Sequence, residues 1–276
     1  MLHARLLFNN INYLHHTKPI NGKVTAKREG TPHTHYTFAV VKHTQETPVI
    51  EIKPIVEEKI NSLWKEFSNE EYCQFSPNSI AEIPNDGIVF IGINPSMTDK
   101  VKERLIEKND INCEFHKLSY DVNLDYRYFK KFFDIAEKTG LNWGHMDLLY
   151  NRETNQKKVS SLLKTERGVD FIYKQCMISK IILDKIIDRN NPRIFVVNNT
   201  LARELLGEYH LSEPTEKSNH WIGYDFVWNE NFGTYTYKNN AFFFTSMLTG
   251  QRALDNGSYQ RLIWHINYIK NKQGIE

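Results

Sequence analysis

The residues whose types and order best suit chemistry stand at 92–96, where the apolar run "VFI" passes straight into Gly92-Ile93-Asn94-Pro95-Ser96. Gly, Asn and Pro in succession make a tight turn. Such a turn can end a strand, cradle a phosphate or hold a polar side chain at a catalytic corner. The phosphate cradle lacks its signature, since neither a Gly-Lys-Ser/Thr ending nor the third glycine of a dinucleotide fingerprint follows. No cofactor is therefore expected. A carboxylate, Asp147, ends a second apolar stretch; when ionised it only accepts hydrogen bonds, whereas Asn151 four residues later both donates and accepts. Arg152, Lys157, Lys158, Lys164 and Arg167 share one polar segment, with Arg127, Lys130 and Lys131 on the helix before it. A charge run of this kind is usually a solvated face, and it is also what contact with a phosphate backbone requires. His33, His35 and His43 have a spacing that could hold a metal across a hairpin, but no acidic or cysteine partner stands near them, so no metal site is expected. The three cysteines form no CxxC and are odd in number, which points to a reducing cytoplasm rather than a disulfide framework.

Positioning these residues is the task of the elements around them. With 40% apolar and 25% charged residues in 276, the composition is that of a globular protein long enough to bury a core. A net charge of +2 leaves any affinity for nucleic acid to local clusters. No apolar run is long enough to cross a membrane, and "MLHARLLFNNINYLHH" is too short and too broken for a signal peptide. A cytoplasmic monomer is expected. Residues 33–53 read as a hairpin and 55–76 as a helix carrying Ile55, Ile60, Leu63, Trp64 and Phe67 at helical spacing, so 1–85 form an N-terminal extension packed on or beside the core. After the turn-rich "SPNSIAEIPND", residues 87–91 are continuously apolar, as a strand covered on both faces should be. A helix at 123–140, a short strand at "NWGHMD", a long helix at 169–189, the strand in "PRIFVVNN" and a short helix at 200–206 follow. A hairpin insertion at 219–239, a fourth core strand in "NNAFFFTSML" and a last helix at 258–272 complete the chain. Strands alternating with helices predict an α/β fold, a three-layer αβα sandwich on a mainly parallel four-stranded sheet spanning 86–276. Its site should lie in the loops at the carboxyl ends of those strands.

Four segments at those loops carry a resemblance. "VFIGINPS" is similar to the first motif of the uracil-DNA glycosylase superfamily, nearest its mismatch-specific Gly-Ile-Asn-Pro branch. "MDLLYNRETNQ" resembles that superfamily's second strand and base-reading loop, "PRIFVVNNTLARELLG" its third strand and following helix, and "FFFTSMLTGQRAL" the position of its DNA-penetrating loop. The likeness covers residues of about 86–270 and leaves the first 85 unexplained. It implies an enzyme that flips a damaged, mispaired or modified base out of DNA and hydrolyses its N-glycosidic bond, in repair or in defence against modified phage DNA.

Carried over residue by residue, the resemblance makes Asn94 the holder of the attacking water. An amide orients water without taking its proton, so slow chemistry on a good leaving group is expected. The backbone N–H groups of Ile93 and Asn94 would face the base, Ser96 the DNA, and one of Tyr126, Tyr128 and Phe129 would stack on the base, Tyr128 or Phe129 by preference. Where many relatives read the base with an Asn, this chain has Asp147, or Asn151 if the register slips by four; a carboxylate acceptor suits an exocyclic amino group, as on a modified cytosine, better than uracil. The companion His145 either shares the face of Asp147 or points away. Relatives often carry a donor histidine after the fourth strand; here Ser246 is the only hydroxyl for that role beside Thr245. Leu248 or Gln251 would wedge into the base stack, and Thr249, Gly250, Arg252, Arg152, Lys157 and Lys158 would contact the DNA backbone. Two alternatives accompany this reading: a weak or inactive relative that binds DNA or a nucleotide, and a nucleoside hydrolase on the same scaffold.

Overall fold

Residues 88–92 alternate their side chains between two apolar layers, Ile88 and Phe90 facing one way and Val89 and Ile91 the other, all fully buried. This explains why the strand is apolar at every position rather than at every second one. The computed structural model describes residues 48–117, 127–207, 220–250 and 253–275. The chain divides into Met1–Thr44 and Gln45–Glu276, and all described residues belong to the second unit. In order these residues form β1 (Val49–Glu51), α1 (Lys53–Glu66), β2 (Asn78–Ile80), β3 (Glu82–Pro84), β4 (Ile88–Gly92), α2 (Asp99–Lys108) and β5 (Glu114–His116). Then come α3 (Arg127–Thr139), β6 (Trp143–Asp147), α4 (Gln156–Leu162), α5 (Glu166–Ile187), β7 (Ile194–Val197) and α6 (Thr200–Leu206). The last four are β8 (Val227–Asn229), β9 (Thr234–Tyr237), β10 (Asn240–Phe244) and α7 (Asn256–Gln273).

The fold is mixed α/β. The central sheet runs β6-β4-β7-β10-β9-β8, with the first four strands parallel and the last two antiparallel. The four expected core strands are thus adjacent and parallel, and the expected hairpin at 219–239 extends the sheet to six strands instead of standing apart as an insertion. Phe132, Ile135 and Ala136 of α3 pack with Leu262, Ile263 and Ile266 of α7 against Ile88, Phe90, Val196 and Phe243. On the other face, α1, α5 and α6 cover Val89, Ile91, Phe195 and Phe242. The chain leaves β4 for β6 over one face and returns from β6 to β7 over the other. The carboxyl ends of β4 and β7 therefore flank the crevice where an open α/β sheet binds ligands.

Elements before residue 86 join the same core. Val56, Ile60, Leu63 and Trp64 of α1 are buried against α5, and the Trp64 ring lies 5.3 Å from that of Phe171. The helix stops at Glu66, ten residues short of its expected end, where Phe67, Ser68 and Glu70 close turns with their amides. The turn-rich stretch at 76–86 contains β2 and β3; β3 pairs antiparallel with β1, and β2 pairs parallel with β5. The first strand of the expected hairpin, with His33, His35 and His43, lies outside the described residues. No helix among the described residues is long and apolar enough to cross a membrane.

Candidate functional site

Beyond β4 and β6 the two chains keep running side by side. Leu148 and Leu149 donate backbone hydrogen bonds to Gly92 and Ile93, Glu153 donates to Pro95, and Thr154 Oγ1 both accepts from Met97 N and donates to Met97 O. The parallel register of the strands is thereby carried into the loops, and residues 92–97 are held as firmly as a strand. They form one wall of a cavity of about 790 Å³ at the carboxyl ends of β4, β6 and β7.

Asn94 is fixed by its amide nitrogen. Nδ2 donates to the carbonyls of Pro95 at 3.0 Å, Asn151 at 3.2 Å and Glu153 at 2.7 Å. The side chain is 9% exposed, and its Oδ1 is buried without a hydrogen-bond partner among the described residues. An orphaned acceptor of this kind costs folding energy on the order of 1–3 kcal/mol unless something binds it. Because the donors are consumed by backbone, the hydrogen-bonding capacity left to the side chain is this one buried acceptor.

Across the cavity, Trp143, His145 and Asp147 share one face of β6, as their spacing of two requires. Asp147 pairs in register with Gly92. A side chain at 92 would set its Cβ 2.2 Å from Asp147 Oδ1, 3.2 Å from His145 Nε2 and 3.3 Å from the Tyr128 hydroxyl, so glycine is what lets these three polar atoms converge on the end of β4. Burial pushes the Asp147 carboxyl up to about 7, and no hydrogen bond from the described residues offsets that. His145 lies 3.7 Å from Asp147 with its ring among Tyr128, Phe129 and Phe132, the last stacked at 5.5 Å. Burial, and secondarily His116, pulls its imidazole down to about 3, and its Nε2 has no partner among the described residues. Tyr128 is likewise held neutral, its hydroxyl raised by burial and by Asp147 while Asn198 hydrogen-bonds to it.

Of the residues expected at the site, the cavity brings together Ile93, Asn94, Ser96, Tyr128, Phe129, Asp147, Arg152, Leu248 and Thr249. Asn151 is not among them: it is buried against α5, where its backbone N–H donates to Gln175 Oε1 and its side-chain Oδ1 accepts from Gln175 Nε2, so of the two candidates Asp147 is the one that lines the cavity. Ser246 is exposed and off the cavity, because β10 ends at Phe244 and the chain turns outward; Met247 lines the wall in its place. Arg152 is 7% exposed and already bound to Glu114 at 2.6 Å, Asn78 and the Ser76 carbonyl, which fixes it internally instead of presenting it to a DNA backbone. Leu248 is a buried member of the α3–α7 core, not a protruding wedge. Lys157 and Lys158 are exposed on α4 outside the cavity, Gly250 is an exposed turn residue with φ of 92°, and Gln251, Arg252 and Tyr126 lie outside the described residues.

Other lining residues carried no clear sequence signal. Asn198 follows β7 directly and points its amide at Tyr128, while Asn199 caps α6 through Leu201 N and Ala202 N and holds Gln156 at 2.8 Å. The only hint was an Asn-Asn pair straight after a buried strand. Asn78 and His116 add a wall from β2 and β5, hydrogen-bonded to each other at 3.2 Å. Among the described residues no group of three or more histidines, cysteines or carboxylates is arranged to hold a metal ion. No protein-family model, curated protein or solved structure matches this chain.

Proposed function

We propose that this chain is a DNA glycosylase that takes a flipped base into the cavity above β4 and β6 and cleaves its N-glycosidic bond with water. The observation that carries this is Asn94, which lines the cavity: its amide nitrogen is pinned by three carbonyls, and its buried Oδ1 is an acceptor without a partner among the described residues. A water held there would form a bond from its oxygen to the sugar C1′ as the C1′–N bond breaks, the bonding pair leaving with the base. The departing base takes up the proton that the water loses, because an amide cannot, so the reaction depends on the leaving group. Tyr128 and Phe129 supply aromatic surface for the base, and Asp147 a polar group for its edge. Four parallel strands covered by helices on both faces support the three-layer αβα sandwich that the resemblance implies.

Incubation with oligonucleotides bearing uracil, hypoxanthine and modified cytosines, followed by hot alkali, is expected to give strand breaks at one or more of these bases, and Asn94→Ala to abolish them. Intact strands with every base would dismiss the reading. Hydrolysis of free nucleosides is a second reading, favoured by Arg152 being bound to Glu114 instead of facing the solvent; release of base from a nucleoside without any DNA would select it.

A further inference from the structure

We propose that Asp147 meets its ligand as a neutral carboxylic acid, donating one hydrogen bond to a ring or carbonyl acceptor while accepting one from the N–H beside it. The ligand class is then a heterocycle with a donor and an acceptor side by side, and the ionised acceptor-only carboxylate is the form that fails to bind. The inference rests on the reading that the cavity takes a nucleobase.

Geometry carries it. The carboxyl lies over the Cα of Gly92, where no other side chain fits, and lines the cavity. The groups that face it from each packed element carry no positive charge. His145 on β6 is kept neutral by its aromatic surroundings, and Tyr128 on α3 is a neutral phenol. Asn94 after β4 and Asn198 after β7 are amides, and His116 on β5 is held down by burial and then by Arg152. His116, His145 and Asp147 also border a void of about 10 Å³, the room of roughly one water, into which no cation reaches. The two cations of the cavity wall among the described residues, Arg152 and Lys117, are each paired with a carboxylate of their own, Glu114 and Glu82. Without a counter-charge, burial favours the protonated acid, in line with the raised pKa of about 7. A neutral acid has one O–H and one C=O, the complement of the N–H/C=O edge of uracil and of the ring-nitrogen/amino edge of cytosine.

The test uses the full chain, with free uracil and free cytosine as probes, from about pH 5.5 to about pH 8.5. Wild-type affinity for both should be constant below about pH 6 and fall towards tenfold per pH unit above about 7, because only the protonated form binds. Asp147→Asn keeps a donor and an acceptor without a titrating proton, so its affinity should be flat across the range. Carbon-detected NMR of the wild-type Asp147 carboxyl, which needs no variant to fold, should show its titration above pH 6. A carboxyl titrating near its ordinary value, affinity that is flat or rises with pH in the wild type, or no binding of either base at low pH would each overturn the proposal. Oligonucleotides that stay intact while free bases bind with this pH profile would sink the glycosylase reading and leave the proposal standing.

Discussion

The two ends of the Asn94 amide are used differently. The nitrogen end joins the loop after β4 to the loop after β6, and the oxygen end is buried with no partner among the described residues. Replacing the amide by a carboxylate removes the donors and sets an anionic oxygen among three carbonyl oxygens. Asn94→Asp is therefore expected to lose more stability than Asn94→Ala, by about 1–3 kcal/mol in denaturant unfolding, since Ala leaves the carbonyls unpaired while Asp also repels them. Equal midpoints for the two variants would mean that the strap contributes nothing. The sequence made Asn94 and Asp147 visible because each directly follows an apolar run. It left the orientation of each unseen: that the amide nitrogen faces inward depends on carbonyls some 57 residues away.

Among the elements, α1 tests whether residues before 86 are an accessory or part of the core. Trp64 is 1% exposed, donates from Nε1 to the Phe75 carbonyl at 2.9 Å, and packs on Phe171 of α5. Trp64→Ala should cost about 3–5 kcal/mol of unfolding free energy in denaturant; a cost below about 1 kcal/mol would mark α1 as a detachable appendage. Long elements were the legible ones. The continuous apolar stretch of β4, the helical spacing in α5 and α7, and Gly207 closing α6 all signal locally, through periodicity and caps. Strands β2, β3 and β5 are three residues each, hold Pro, Asn and Glu, and exist through partners more than 30 residues away, as with Val49 opposite Pro84 and Ile80 opposite His116. Three residues cannot display a period, so the wall built from Asn78 and His116 had no signature. The exposed end of β10 misled in the opposite sense: Ser246 has the right chemistry and order, but only tertiary direction reveals that it points away.

For the molecule as a whole, the Asp147–His145 pair predicts an unusual pH response of stability. Folding holds a proton on Asp147 that the unfolded chain releases above 3.8; this contribution is full below that value and is lost as pH rises through about 7. His145 has the opposite sign, since folding expels a proton that the unfolded chain binds below 6.5; its contribution is full above that value and is lost as pH falls through about 3. Between about pH 4 and pH 6.5 the two slopes oppose each other and largely cancel. Asp147→Asn removes the first and uncovers the second. The unfolding free energy of this variant, relative to wild type, should rise by about 1 kcal/mol per pH unit across that window. Parallel stability curves would show that the carboxyl titrates no differently folded than unfolded.

The three carbonyls around Asn94 also bear on how the chain can change over generations. An Asn-to-Asp exchange takes a single nucleotide, and under the proposed function it would replace an amide that holds water by a base that activates it. Here that exchange places a carboxylate among three carbonyl oxygens, so the loop at 151–153 would have to be rebuilt before it could be tolerated. On the proposed reading, a lineage that keeps this strap would keep slow hydrolysis with it, and could diversify instead at the opposite wall, where Asp147 lines the cavity.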